Sequence, residues 1–308
     1  MITVAAQAFG TSDFEAAGDV PSHWPLAETS RIVQSCGTRW HVQQTGSGPV
    51  LLLIHGTAAS THSFRELIPS LAKDFSVLAV DLPGHGYSTR LPDGDMSLPA
   101  IARGIEGLLD TLGCRPRFIA GHSAGAAIAL RLALNAGAAI EAVVGLNAAL
   151  LPYGGFLTRV FSPLASFFAS TRLMPQLLAR RAMNRRAVER VIRGTGSVLD
   201  AEGIDLYRAL FSRESHLEAV LAMMAAWNLA PLNRDLPALE SRLLLVVGGR
   251  DRAVDPREAD RVTNKLERAH VVRLDHCGHL AHEEAPEEVA RLIRDYCLES
   301  SEDSHAAD

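Results

Sequence analysis

Short unbroken apolar runs alternate along this chain with longer stretches whose apolar residues recur at helical spacing. VLLLI (50–54), SVLAVD (76–81), RFIAG (117–121), AVVGLN (142–147), RLLLVVGG (242–249) and HVVRL (270–274) are runs of the first kind. A strand covered on both faces reads this way, because neither face meets water. Between them, residues 64–72, 98–112, 124–135, 256–266 and 286–297 predict helices. Repeated β-α-β units predict a parallel sheet with helices on both faces. Ahead of them, RIVQS and RWHVQQT flank Cys36-Gly37-Thr38 and predict an antiparallel hairpin.

The pattern changes between 152 and 232, where no strand run occurs and stretches rich in Phe, Leu, Met and Arg predict helices. Its flanks both read as sheet-core strands, so the segment is expected to sit at the strand ends as a helical lid. The expected organisation is a loosely held extension over 1–28, a core over 29–151 and 233–298, the lid over 152–232, and an acidic tail over 299–308.

With 308 residues, 47% of them apolar and 21% charged, the chain has ample material for a buried core. A net charge of −5 argues against a nucleic-acid binder. Cys36, Cys114, Cys277 and Cys297 are widely spaced and form no CxxC pair, which argues for a reducing compartment. The N-terminus lacks the basic and apolar regions of a signal peptide. The longest uncharged stretch, Ala142 to Thr158, is broken by Asn147, Pro152, Gly154 and Gly155, so no membrane span is expected. These readings together predict a cytoplasmic protein.

The sharpest chemical signal is Gly121-His122-Ser123-Ala124-Gly125, a G-x-S-x-G pattern lying between a strand and an Ala-rich helix. Small flanking residues let the backbone approach closely there, while the serine is forced to project its hydroxyl. A serine hydroxyl is a weak nucleophile at neutral pH and needs a base, and the base needs an acid to orient it. Asp251, in GGRD, and His279, in HCGHL, each follow a predicted strand, where open parallel sheets place their sites. The competing reading of Asp251 is a helix cap or surface turn. Asn147, at the end of another strand, cannot be the acid. His276, His279 and His282 raise a metal cluster, but Cys277-Gly278 makes the segment a turn rather than the regular helix that spacing requires, so no metal is expected. An oxyanion needs two backbone N–H donors; Thr57 and Ala124 are assigned, with Ala58 as the alternative to Thr57. His55 is read as a structural hydrogen-bonder and Asp81 as the organiser of its own turn, beside the turn glycines Gly84 and Gly86.

Taken in order, HGTA, DLPGHGYS, GHSAG, GGRD and GHLAHEE resemble the α/β-hydrolase superfamily over about residues 31–298. The resemblance implies an eight-stranded, mostly parallel sheet, a Ser123-His279-Asp251 triad, a lid after the sixth strand, and no cofactor. A narrower resemblance is carried by SRIV, RWHVQQTGSGPVLLLIHGTAASTHSFR, LNAALLPYGG, FSPLA, RVIRGTGSVLD and LAMMAAWNL, which are similar to the magnesium-chelatase accessory proteins of bacteriochlorophyll biosynthesis. That family is placed in the pigment pathway by association and implies no defined reaction.

Arg172, Arg180, Arg181, Arg185, Arg186 and Arg190 face only Glu189 within 159–193, so the lid is basic although the chain is acidic. One reading is a solvated helix face. The other is attraction to lipid head groups or porphyrin carboxylates, with Phe156, Phe161, Phe167, Phe168, Leu173, Met223, Met224 and Trp227 meeting an apolar body, or contact with magnesium chelatase or the inner-membrane surface. The expected function is a serine hydrolase acting on an ester or related acyl bond of an apolar substrate, a class that includes tetrapyrrole-linked molecules. The alternatives are a non-catalytic porphyrin-binding or chelatase-assisting protein, and a haloperoxidase or C–C hydrolase using the same residues.

Overall fold

The structure, a computed structural model, describes residues 14–15, 20–151 and 173–299. Arg172 and the four phenylalanines singled out at 156, 161, 167 and 168 lie outside the described residues.

Among the described residues nine strands form one sheet in the order β1-β2-β3-β5-β4-β6-β7-β8-β9. They are β1 (Phe14–Glu15), β2 (Ser30–Ser35), β3 (Thr38–Thr45), β4 (Val50–Ile54), β5 (Ser76–Val80), β6 (Phe118–His122), β7 (Ala142–Leu146), β8 (Arg242–Gly248) and β9 (Ala269–Leu274). The β2–β3 hairpin pairs Ser35 with Thr38 across Cys36 and Gly37, whose φ values of 48° and 78° match the twist of the flanking strands. Strands β4 to β9 pair in parallel. The eight predicted strands are present, and β1 adds a two-residue antiparallel edge to β2. Trp24 is buried against His62 and Tyr87, so this part of the N-terminal stretch is held to the core.

The sheet's period of two divides β4 between two cores. Leu51 and Leu53 join Phe64, Phe75, Phe118 and Ile293 on one face, while Leu52 and Ile54 join Trp40, Ile101, Ile105 and Ile128 on the other. Helices α2 (Leu98–Thr111) and α3 (Ala124–Ala136) cover the second face. The predicted helix at 64–72 is instead a 3-10 turn, Thr61–Phe64, followed by a single turn, α1 (Ile68–Leu71). Pro69 has no N–H to continue a helix begun at 64, but is accommodated in the first turn of α1.

Between β7 and β8 the described residues are helical: α4 (Leu173–Ala182), α5 (Arg185–Gly194), α6 (Ala201–Phe211), α7 (Glu214–Ala226) and α8 (Ala230–Asp235). Asn184 and Asp200 cap α5 and α6 by accepting from the Arg186 and Gly203 N–H groups. Val188, Ile192, Ile204 and Tyr207 of this insertion share a third apolar cluster with Ala59 and Leu280. Those two residues lie in loops that leave the carboxyl ends of β4 and β9, so the insertion packs on that edge of the sheet. After β8 come α9 (Glu258–Thr263), shorter than expected, then α10 (Ala281–Glu284) and α11 (Pro286–Leu298).

Candidate active site

Loops leaving the carboxyl ends of β4, β6, β7, β8 and β9 carry His55 to Ala58, Ser123, Asn147, Asp251 and His279 respectively. A parallel sheet brings these five ends to one edge, as the sequence predicts for Ser123, Asp251 and His279.

Ser123 is the hinge between β6 and α3, with φ 51° and ψ −115°. A serine before a helix ordinarily accepts a hydrogen bond from the first turn; this one makes no such cap, which leaves the hydroxyl available. The turn is possible only because its neighbours are small. A Cβ on Gly121 would meet Gly125 O at 2.4 Å, and a Cβ on Gly125 would meet Ile54 O at 2.2 Å. A Cβ on Gly56 would fall 3.1 Å from Ser123 Cβ, so the loop after β4 passes directly beside the serine.

His279 Nδ1 and Asp251 Oδ2 are 2.8 Å apart and both residues are buried. Asp251 Oδ2 also accepts from Asn147 Nδ2 at 2.9 Å, and Oδ1 accepts from the Ala253 and Val254 N–H groups. Asp251 therefore organises its turn and engages the imidazole at once, combining both readings made of it. With Nδ1 donating to the carboxylate, His279 carries its lone pair on Nε2. His122 Nε2 lies 3.0 Å from the His279 carbonyl, which ties that loop to the residue preceding Ser123. Burial, with His282 and His279 close by, holds the His122 imidazole well below its ordinary pKa, so it is neutral.

Ala124 opens α3, and a first-turn N–H has no partner inside its helix. Thr57 and Ala58 follow Gly56, and Ala58 takes φ 69°. His55 pins this loop from below: Nδ1 donates to Gly56 O at 2.8 Å, and Nε2 accepts from the Leu82 N–H at 2.9 Å. From above, His216 of α7 lies 3.2 Å from Ala58 O through Nε2, while its Nδ1 accepts from the Gly86 N–H. Thr57 Oγ1 points to Met223 Sδ of the same helix. Met223 is core, whereas Met224 and Trp227 are half-buried.

The three closely spaced histidines part company. His276 is exposed beside Glu288, His279 joins Asp251, and His282 is buried with its ring 4.3 Å from that of His122. Burial lowers the His282 pKa to about 3. Cys277 is fully buried, and burial raises its thiol to about 11, so it packs as a small apolar residue. Asp81 accepts from the Thr61 and Tyr87 N–H groups and from His41, fixing the turn in which a Cβ on Gly86 would collide with its carboxylate.

Sequence reasoning missed Asn147, His122 and His216. In the sequence Asn147 stands out only as a residue that cannot be the acid, although an asparagine following a strand is one of the few residues that tolerates its φ of 46°. His216 stands in an insertion helix with no motif to mark it. Also unread was a clamp on the His279 loop. Ser197 Oγ accepts from the Leu280 N–H at 2.8 Å, and the Glu284 carboxylate accepts from both Gly278 and Val198 N–H groups.

No helix among the described residues is long and apolar enough to cross a membrane. A model of the Alpha/beta hydrolase family matches residues 51–292. The magnesium-chelatase 30 kDa subunit of Rhodobacter capsulatus is 37% identical over 279 residues, covering 90% of this chain and 97% of that protein. The pimeloyl-[acyl-carrier protein] methyl ester esterase of Nitrosomonas europaea is 29% identical over 253 residues, covering 80% and 95%. In three dimensions the chain is similar to the enol-lactonase of Burkholderia xenovorans LB400, with a TM-score of 0.71 and 22% identity over 87% of this chain and 100% of that one.

Proposed function

Because this chain belongs to the alpha/beta hydrolase family and, within it, is a relative of the magnesium-chelatase 30 kDa subunit, we propose that it is a serine hydrolase acting on an ester or related acyl bond. Ser123 Oγ attacks the acyl carbon as His279 Nε2 takes its proton. Asp251 holds the imidazole in that tautomer and stabilises the imidazolium. The N–H groups of Thr57 and Ala124 receive the developing oxyanion, each such donor being worth about 3 kcal/mol in the transition state. The imidazolium then protonates the leaving group, and water activated by the same imidazole releases the acid from Ser123. The triad residues themselves supply the nucleophile, base and orienting acid.

The observation that carries this reading is the 2.8 Å contact between His279 Nδ1 and Asp251 Oδ2, at the same sheet edge as a strained serine that caps nothing. The relative named as a chelatase subunit supports work beside magnesium chelatase, and the substrate we propose is apolar, with a tetrapyrrole ester in that class. The insertion would serve as the lid over that substrate. The name also favours a second reading, in which the triad is vestigial and the protein binds a porphyrin or assists the chelatase. A fluorophosphonate probe separates the two. Hydrolysis predicts labelling of the wild type and none of Ser123→Ala; an unlabelled wild type that binds porphyrin tightly supports the carrier.

A further inference from the structure

The outward faces of α4 and α5 combine two features that soluble surfaces usually keep apart. Among the described residues five large apolar side chains are exposed, and four of them, Leu177, Met183, Val191 and Val198, belong to one stretch of the insertion, Met183 being 69% exposed. Arginines lie among them. Leu177, Arg180 and Arg181 share a face of α4 at i, i+3 and i+4, while Arg186, Arg190 and Arg193 recur along α5 at i, i+4 and i+7. Ala179, Ala182, Val188 and Ile192 fill the opposite, buried faces, so the arginines point outward.

Arg185 is engaged by Asp205, and Arg193 by Glu189. Arg180, Arg181, Arg186 and Arg190 have no carboxylate partner among the described residues. Residues 173–194 hold six arginines against the single Glu189, in a chain whose net charge is −5. Such a concentration of positive charge attracts an anionic surface. The interspersed apolar side chains need a surface that also accepts Leu, Met and Val. A fluid bilayer conforms to helix faces that carry cationic and apolar side chains together. Its phosphates take guanidinium donors, and the acyl boundary takes the apolar side chains.

We propose that the outer face of α4 and α5 docks the protein on an anionic lipid bilayer. The insertion would then stand between the membrane and the carboxyl edge of the sheet, and the proposal holds whether or not Ser123 is used.

Sedimentation of the full chain with vesicles of phosphatidylcholine alone, or of phosphatidylcholine with phosphatidylglycerol, tests it. Binding is expected only to the anionic vesicles and should weaken with salt, as the screening length falls from about 10 Å at 0.1 M to about 3 Å at 1 M. The combined variant Arg180→Gln, Arg181→Gln, Arg186→Gln, Arg190→Gln should lose at least about tenfold in partitioning, each arginine contributing several-fold near such a surface. Leu177→Ser with Met183→Ser and Val191→Ser should also weaken binding. Unchanged melting temperatures would show that both variants fold. Equal binding to the two vesicle types, an arginine variant that binds like wild type, or an apolar variant that does so would overturn the proposal. Polyglutamate binding as tight as vesicle binding would also overturn it, pointing to an acidic protein instead.

Discussion

Ala58, Ser123 and Asn147 all hold left-handed backbone although each carries a side chain, and all three lie at one sheet edge. Such conformations cost about 1–2 kcal/mol each and persist where surrounding contacts enforce them. Ser123 is enforced by Gly121 and Gly125, and Asn147 by its bonds to Asp251 and to Gly278 O. Asn147→Ala should therefore slow fluorophosphonate labelling of Ser123 about tenfold through loss of a hydrogen bond to a charged group. Asn147→Gly should slow it equally but retain about 1 kcal/mol more stability, since glycine accepts the positive φ. Labelling rates together with urea denaturation check both; a wild-type rate in Asn147→Ala would remove Asn147 from the mechanism. At this scale Ser123, Asp251 and His279 were legible as candidates because each follows a strand within a distinctive local pattern. Asn147 and His216 were not legible, since their roles depend on partners 104 and 158 residues away.

The insertion is joined to the core by a buried polar cluster as well as by apolar contact. Arg65, beside the 3-10 turn, meets Glu283 of α10 at 2.6 Å, and Tyr207 of α6 donates to the other carboxylate oxygen at 2.8 Å. Burial pushes Glu283 above its usual range while Arg65 and Tyr207 pull it back. Removing one member leaves a buried charge unmatched. Arg65→Met should cost about 3–5 kcal/mol, and Arg65→Met with Glu283→Met should recover much of that. Urea titration of the single and double variants reads the difference, and equal stability of the two would contradict the account. Strands buried on both faces were legible because the apolar run is itself the signal. The single-turn α1 was not, because Pro69 sits within a stretch whose spacing is otherwise helical. The two-residue β1 carries too little sequence for any period.

At the scale of the whole molecule, charge burial sets a pH dependence. Glu258 is buried, its Oε1 without a partner among the described residues, in a cleft that Asp251, Leu245, Val247 and Val262 also line. Burial, with Asp255 and Asp251 adding to it against Arg261, raises its pKa from 4.5 to about 7. Between those values the folded chain keeps a proton that the unfolded chain releases. Its stabilising contribution is complete below pH 4.5, falls as pH rises, and is lost above about 7. The loss amounts to about 3 kcal/mol at 1.36 kcal/mol per pH unit. Glu258→Gln should thus gain stability over wild type between pH 5 and pH 8; parallel stability curves would contradict this. The alternation of strands and helices was enough to predict the parallel sheet and the edge where the site would form. The clamps that hold the insertion there arise only on folding.

The most direct measurement is the rate constant for phosphonylation of Ser123 in wild type and in His279→Ala, with the adduct mapped by mass spectrometry. A proton acceptor engaged by Asp251 predicts a loss of at least about a hundredfold in the variant. Equal rates, or an adduct on another residue, would contradict it.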